Sequence, residues 1–102
     1  MSSVVWSQAA LDDADEIAAY IAADNPVAAR KVLDKIETTA ERLGRMAIGR
    51  IGRVAGTYEK SVIGVPYIIA YALTSEASGD EQIVILRVIH SARDWPKGQW
   101  PK

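Results

Sequence analysis

The chain has 102 residues, 49% of them apolar and 25% charged, and its net charge is −1. This size and composition are typical of one globular domain with a modest core, and they argue against disorder and low complexity. The net charge lacks the strong basic excess that is typical of proteins that bind polyanions. Cysteine is absent and His90 is the one histidine, which excludes disulfides, cysteine-based zinc sites, thiol nucleophiles and histidine-rich metal sites. We therefore expect no bound metal or cofactor.

The sequence predicts neither a targeting segment nor a membrane span. Residues 1–7 lack the basic region and apolar stretch of a signal peptide. The longest apolar run, around residues 65–73, is far shorter than the roughly 18 residues that a span needs. Basic residues outnumber acidic ones only in residues 45–102, by eight to five. We therefore expect a cytoplasmic protein with no membrane partner and no strong direct binding to nucleic acid.

The N-terminal part predicts one strand followed by a helical hairpin. Residues 4–6 are β-branched and aromatic, which favours a first strand. Ser7 is suited to cap a helix whose apolar stripe ends near residues 23–24. Asn25 and Pro26 form a restart signal, with Asn as N-cap and Pro as the first helical residue. A second apolar stripe follows, and Gly44 is placed to stop that helix.

The C-terminal part predicts three strands, at residues 57–63, 67–73 and 82–89, after a glycine-rich segment at 44–56. The element order is β-α-α-β-β-β, which indicates an α+β fold with an antiparallel sheet packed against the N-terminal helical hairpin. No linker divides the chain, so residues 1–102 form one predicted domain. Residues 91–102, which contain two Trp-Pro pairs, form its irregular C-terminal tail.

Three apparent motifs favour structural interpretations. The glycines of residues 49–56 match neither phosphate-loop pattern, and a strand follows them, so we expect a surface turn that exposes Arg50 and Arg53. The acidic residues 12–16 lack the glycine and terminal Glu of a calcium loop and are expected on a solvated helix face. His90 lies beside Ser91 and Asp94, but no GxSxG elbow presents a serine for acyl transfer.

The end of the last predicted strand carries a polar cluster with two open interpretations. Simple alternation places Val84, Leu86, Val88 and His90 on one face and Ile83, Ile85, Arg87 and Ile89 on the other. In the structural interpretation, His90 is hydrogen-bonded, Arg87 is paired with an acid and Trp95 folds over the sheet. In the functional one, His90, Arg93 and Arg87 form a cluster rimmed by Trp95 and Tyr67 or Tyr71, which contacts a phosphodiester or an acidic protein surface.

Several short sequence pieces, spread over residues 4–96, carry a resemblance to a known family. They are Ile17-Ala18-Ala19-Tyr20-Ile21, Asn25-Pro26, Ala28-Ala29, Gly49-Arg50, Gly52-Arg53, Gly56-Thr57 with Glu59, Pro66-Tyr67-Ile68 with Tyr71, and Ile85-Leu86-Arg87-Val88 with His90, Arg93, Trp95 and Pro96. In this order and spacing they resemble the ParE/RelE toxins of type II toxin–antitoxin (plasmid stabilisation) systems, and most closely the ParE branch. The chain departs from the pattern at Tyr58, where relatives often carry Arg, and at Ser91, where Gly is common.

The resemblance implies the same β-α-α-β-β-β fold, a growth-inhibiting toxin, and a ParD-like antitoxin that holds it in a hetero-oligomer. ParE-like members poison DNA gyrase, whereas RelE-like members cut mRNA on the ribosome. A ribosome-bound nuclease needs several cations beside its acid and base. The positions where RelE-like enzymes carry them correspond to Glu59, Ser61 and Ile68, none of which is cationic. We therefore predict a non-enzymatic gyrase toxin; the alternatives are a RelE-like mRNA endoribonuclease and a non-toxic binding relative.

Two sets of contact residues are implied by this interpretation. Target contacts are predicted at Arg87, His90, Arg93 and Trp95, and no catalytic residue is assigned. In the nuclease alternative, His90 with Arg93 is the remaining acid–base candidate. An antitoxin helix or strand requires an apolar groove or a free sheet edge. Antitoxin contacts are predicted at Tyr20, Arg50, Arg53 and Tyr58.

Overall fold

A computed structural model describes residues 2–47, 49–92 and 98–100. Its elements confirm the α+β fold and the predicted helical hairpin, and they add one short strand within the glycine-rich segment. In chain order they are β1 (Ser3–Trp6), α1 (Gln8–Ala22), α2 (Pro26–Arg45), β2 (Arg50–Ile51), β3 (Tyr58–Ser61), β4 (Tyr67–Ser75) and β5 (Glu81–His90).

The strands form one sheet in the order β1-β5-β4-β3-β2. The predicted antiparallel meander of β3, β4 and β5 is confirmed, and β2 extends it by pairing antiparallel to β3. Strand β1 instead lies parallel to β5, with Ser3 opposite Gln82 and Trp6 opposite Ile85. The sheet is therefore mixed rather than wholly antiparallel. A parallel pair requires a long crossover, and the chain between β1 and β5 contains both helices.

Both helices begin at the residues that the sequence predicts. The Ser7 hydroxyl accepts a hydrogen bond from the Ala10 N–H at 3.1 Å, and the Asn25 side chain accepts one from the Ala28 N–H at 3.0 Å. Pro26 is the first residue of α2, where its missing N–H has no cost. These local signals fix where the two helices start.

The predicted stop at Gly44 is wrong, because α2 continues to Arg45 and Gly44 lies inside it. The reason for glycine here is a close approach of β1. A Cβ at Gly44 would lie 2.7 Å from Val4 Cγ2 and 2.9 Å from the Ser2 carbonyl oxygen. The Ser2 N–H donates to the Gly44 carbonyl at 2.7 Å. The end of α2 is thereby joined directly to the start of the sheet.

The helical hairpin packs on one face of the sheet and forms the core there. The largest fully buried side chains are Ile36 and Leu43 of α2, Ile69 and Tyr71 of β4, and Ile83 and Ile85 of β5. Trp6 and Ile17 pack partly buried against this cluster. The spacing of the apolar residues in both helices is as predicted, so burial of these stripes holds α1 and α2 against the central strands.

A bulge in β5 changes the faces of its last residues. Ala70 pairs with Arg87 and Tyr71 with Ile85, so Leu86 has no partner on β4. An extra residue of this kind reverses the alternation beyond it. The predicted face is therefore wrong for Val88, which belongs to the same core cluster as Ile85. The bulge brings His90 to the side of the sheet that α1 covers.

Candidate functional site

An open cleft of about 600 Å³ lies between α1 and the last residues of β5. Helix α1 contributes side chains at three- and four-residue spacing, which places them on one face. Strand β5 contributes the residues after the bulge, and β4 contributes Tyr67. The polar and aromatic side chains of the cleft come from Asp13, Glu16, Tyr20, Tyr67, Arg87 and His90, and the Val88 backbone lies among them.

Arg87 is bound tightly to Asp13, which is the structural interpretation that the sequence left open. Its Nε and Nη2 lie 2.7 and 3.1 Å from the two carboxylate oxygens of Asp13, and the Val88 N–H donates to the same carboxylate at 3.0 Å. Both side chains are largely buried, with exposures of 23% and 13%. The hydrogen bond to Asp13 is the main cause that raises the pKa of Arg87, against an opposing effect of desolvation.

The expectation of a solvated acidic face is therefore wrong for Asp13. Strand β1 pairs with β5 only as far as Ile85, and the Asp13 carboxylate takes the Val88 N–H beyond that point. A buried N–H without an acceptor destabilises the folded state. The Asp13 carboxylate therefore supplies the hydrogen-bond acceptor for a part of β5 that β1 does not reach.

His90 lies at the end of β5, paired across the sheet with Tyr67. The edge of one ring meets the face of the other, with centroids 5.3 Å apart and an interplanar angle of 82°. His90 Nδ1 accepts a hydrogen bond from the Ala92 N–H at 3.1 Å, so this nitrogen carries no proton in that bond. Burial, followed by the nearby Tyr20, raises the pKa of Tyr67. The cleft thus presents two rings held by backbone pairing and a local hydrogen bond.

Of the predicted target contacts, the structure brings Arg87 and His90 into one cleft, whereas Arg93 and Trp95 lie outside the described residues. Tyr20, predicted as an antitoxin contact, lines this same cleft and is 75% exposed. Further along the tail, the Gly98 N–H donates to the Arg53 carbonyl at 3.1 Å. Gly98 therefore contacts the segment that precedes β3.

The segment before β3 is an anchored turn built around Glu59. The Glu59 side chain is 3% exposed; its Oε2 accepts the Arg53 N–H at 2.8 Å, and its Oε1 lies 3.6 Å from Arg50 Nη2. The Gly52 N–H donates to the Thr57 carbonyl at 2.8 Å, and a Cβ at Gly52 would overlap Thr57 Oγ1. Gly52 therefore serves close packing in this segment, in agreement with the predicted surface turn.

The remaining predicted antitoxin contacts lie at the β2 and β3 end of the sheet. Arg50 and Arg53 are exposed, and Tyr58 is partly buried by stacking on Tyr71, with centroids 5.6 Å apart. Tyr20 belongs to the cleft at β5 instead, so the structure separates the predicted antitoxin contacts into two groups. Their contact roles stay predictions.

Asp13 and Glu59 are polar residues whose partners the sequence did not reveal. Asp13 lies 74 residues from Arg87, and no local pattern indicates that pairing. Within the described parts of the chain, no group of three or more His, Cys, Asp or Glu side chains is arranged to hold a metal ion. In the same residues, the helices are too short or too polar to cross a membrane.

Comparison with known proteins confirms the resemblance seen in the sequence. Residues 4–95 match the family described as "ParE toxin of type II toxin-antitoxin system, parDE". The chain is 38% identical over 93 residues to "Putative toxin Y4kP" of Sinorhizobium fredii, covering 90% of this chain and 91% of that one. It is 33% identical over 94 residues to "Toxin RelE2" of Caulobacter vibrioides, covering 91% and 99%.

The fold is shared with a solved structure described as "Chromosomal ParDE TA system from P. aeruginosa". The TM-score is 0.76 over 88% of this chain and 96% of that chain, at 24% sequence identity. This likeness shows the α+β architecture with its two helices and mixed sheet.

Proposed function

Because the chain belongs to the ParE family of toxins from type II toxin–antitoxin systems, we propose that it inhibits bacterial growth by binding DNA gyrase in the cytoplasm. It acts by protein contact and catalyses no reaction. A cognate ParD-like antitoxin binds it and neutralises it, as the toxin–antitoxin assignment of the family implies.

The polar groups of the cleft are held in place by bonds within the protein, and this observation supports the proposal. A nuclease needs a mobile acid–base pair and cations that can reach a phosphate. Here the Arg87 guanidinium is bound by Asp13, and His90 Nδ1 is bound by the Ala92 N–H. Glu59, at one of the positions where RelE-like enzymes carry a cation, is buried under Arg53 and Arg50. These bonds favour a fixed recognition surface over a catalytic one.

The surface proposed to bind gyrase contains the aromatic rings of Tyr67 and His90 at the end of β5. Tyr67 and His90 pack edge to face in the cleft, and aromatic anchors of this kind dominate the energies of protein interfaces. In the proposal, His90 contacts the target directly, Arg87 contributes the exposed part of its paired guanidinium, and Arg93 and Trp95 extend the contact. Binding at a preformed surface requires little reordering of the chain.

The test is plasmid supercoiling by purified gyrase, with this protein titrated in and linear cleaved DNA scored. We expect loss of supercoiling with accumulation of cleaved DNA. Both His90→Ala and Arg93→Ala should raise the inhibitory concentration at least about tenfold. The matched control is Arg45→Ala, an exposed arginine at the end of α2. No inhibition at large molar excess of the folded protein would refute the gyrase proposal.

Ribosome-dependent mRNA cleavage is the second candidate, favoured by the relative named "Toxin RelE2". His90 Nε2 has no hydrogen-bond partner among the described residues, which leaves this nitrogen available to a substrate. A translating extract tests the idea: cleavage of mRNA by the wild-type protein, lost in His90→Ala, would establish it. Tight antitoxin binding with no effect in either assay would identify a non-toxic binding relative.

A further inference from the structure

A second groove, of about 370 Å³, lies between α2 and β3, on different elements from the α1 cleft. Its apolar lining includes Leu43, Met46 and Ile63, and its cationic lining consists of Lys35, Arg42 and Lys60. Met46 is 64% exposed and Ile63 is 78% exposed. Adjacent exposed apolar side chains with a polar rim are typical of a surface that another molecule covers. We call this surface the α2–β3 groove.

The cations of the α2–β3 groove have no ion-pair partner in the described part of the chain. The ion pairs found there join Arg30 to Asp34 and Glu37, Arg50 to Glu59, and Arg87 to Asp13. Asp34 is the one carboxylate among the lining residues, and the Arg30 Nε donates to it at 2.9 Å. The groove therefore keeps three uncompensated positive charges around an apolar floor, although the whole chain has a net charge of −1.

The fold holds these charges on one side of α2. Lys35 and Arg42 are seven residues apart, which places them on one flank of the helix, and Met46 follows directly after its end. The Lys35 ammonium lies over the β3–β4 turn, since a Cβ at Gly64 would be 2.9 Å from its Nζ. Across α2, a groove of about 320 Å³ is lined by Asp15, Glu37 and Glu41 together with Trp6 and Leu11. Helix α2 thus separates a basic apolar groove from an acidic one.

We propose that the α2–β3 groove receives an acidic amphipathic segment of the antitoxin, and that Lys35, Arg42 and Lys60 select that segment by charge. Apolar side chains of the segment cover Met46 and Ile63, and its carboxylates lie against the three cations. Opposite charges at such a rim set partner choice and association rate. The inference rests on the antitoxin partnership proposed above, and it is independent of gyrase as the target.

Charge neutralisation on the two flanks of α2 tests the proposal. The triple variant Lys35→Gln, Arg42→Gln, Lys60→Gln is compared with the triple variant Asp15→Asn, Glu37→Gln, Glu41→Gln, with thermal melts to show that both fold. We expect the first to bind the cognate antitoxin at least about thirtyfold more weakly and with a smaller salt dependence. The second should stay within about threefold of wild type. Equal antitoxin affinity of the first variant and wild type would overturn the proposal.

Photo-crosslinking identifies what occupies the groove. Benzoylphenylalanine is placed at Ile63 and, as a control, at the exposed Leu11 of the acidic flank. We expect the Ile63 position to capture an antitoxin peptide of net negative charge. Capture of a neutral or basic peptide, or of a second copy of this chain, would overturn the proposal.

The gyrase assay separates this inference from the functional proposal. We expect the basic-groove variant to inhibit supercoiling as wild type does, because the groove and the α1 cleft involve different residues. A wild-type protein that binds its antitoxin without affecting gyrase would refute the target and leave the groove assignment standing. A wild-type protein that fails to bind the antitoxin would refute the partnership and the groove assignment together.

Discussion

The carboxylate of Asp13 accepts hydrogen bonds from the Arg87 side chain and from the Val88 N–H. Asp13→Ala removes the acceptor of a buried N–H and the counter-charge of a largely buried guanidinium. We expect it to lower the free energy of unfolding by about 2–4 kcal/mol. Urea unfolding measures this, with the exposed neighbour changed in Asp12→Ala as control, for which about 0.5 kcal/mol is expected. Equal losses in the two variants would show that the Asp13 bonds contribute nothing.

Residues whose role depends on near neighbours could be predicted from the sequence, and those that pair across the chain could not. Ser7 and Asn25 cap helices through bonds to N–H groups three residues away, so the local pattern was sufficient. The partner of Arg87 was expected only as some acid, because Asp13 becomes its neighbour after the helices dock. Glu59 was considered for its charge, and its burial beneath Arg53 depends on the path of a glycine-rich turn.

Among the secondary-structure elements, the end of α2 depends on Gly44. Alanine normally favours a helix over glycine by about 1 kcal/mol. Here, an added Cβ would meet Val4 Cγ2 at 2.7 Å and the Ser2 carbonyl oxygen at 2.9 Å. We expect steric overlap to outweigh helix propensity, so that Gly44→Ala lowers the free energy of unfolding by about 1–2 kcal/mol net.

Chemical denaturation of Gly44→Ala measures this balance. The control is Thr38→Ala, an exposed position of the same helix, where alanine should be neutral or stabilising. A stabilised Gly44→Ala protein would mean that β1 moves aside at little cost and that the contact between β1 and α2 is loose.

The existence and order of the main elements could be predicted because periodicity and capping signals are local. Their irregularities could not. The bulge at Leu86 inserts one unpaired residue into a run of apolar side chains that gives no sign of it. The faces assigned to Val88 and His90 are reversed in consequence, whereas Arg87 still reaches Asp13 of α1. The short strand β2 was hidden by glycines, which disfavour strands in isolation, and it forms because β3 offers its edge.

At the scale of the whole molecule, the ionisation of two tyrosines makes the free energy of unfolding depend on pH in the alkaline range. Burial is the main cause that raises the pKa of Tyr71, and likewise that of Tyr67, above the ordinary value of 10.0. The unfolded chain then loses these protons at lower pH than the folded protein does. The associated stability is complete below about pH 10 and is lost as the pH rises past 10 toward the raised values.

Unfolding free energies measured between neutral pH and pH 11 test this linkage. We expect a decline above about pH 10 in wild type that is shallower in Tyr71→Phe and in Tyr67→Phe, because each variant removes one of the ionisable hydroxyls. Identical slopes in all three proteins would assign the decline to other groups.

The parallel pairing of β1 with β5 was not predictable from four residues of strand propensity. It depends on how the two helices and the later strands pack, which places β1 at the edge of the sheet beside β5 and on the side away from β4. The mixed sheet is therefore a product of the packing of the whole chain, as is the position of the α1 cleft at the part of β5 that β1 leaves unpaired.

Strand β5 is the hydrogen-bonded partner of both β1 and β4, yet among the strands that the structure describes it is the last to leave the ribosome. A polypeptide released before Glu81 contains β1 and the strands β2 to β4, but it lacks β5, the strand that joins β1 to β4. It also lacks His90. Premature stop codons and frameshifts over most of the gene should therefore give an inert product, and bacteria that carry the toxin without its antitoxin should survive mainly through such truncating mutations.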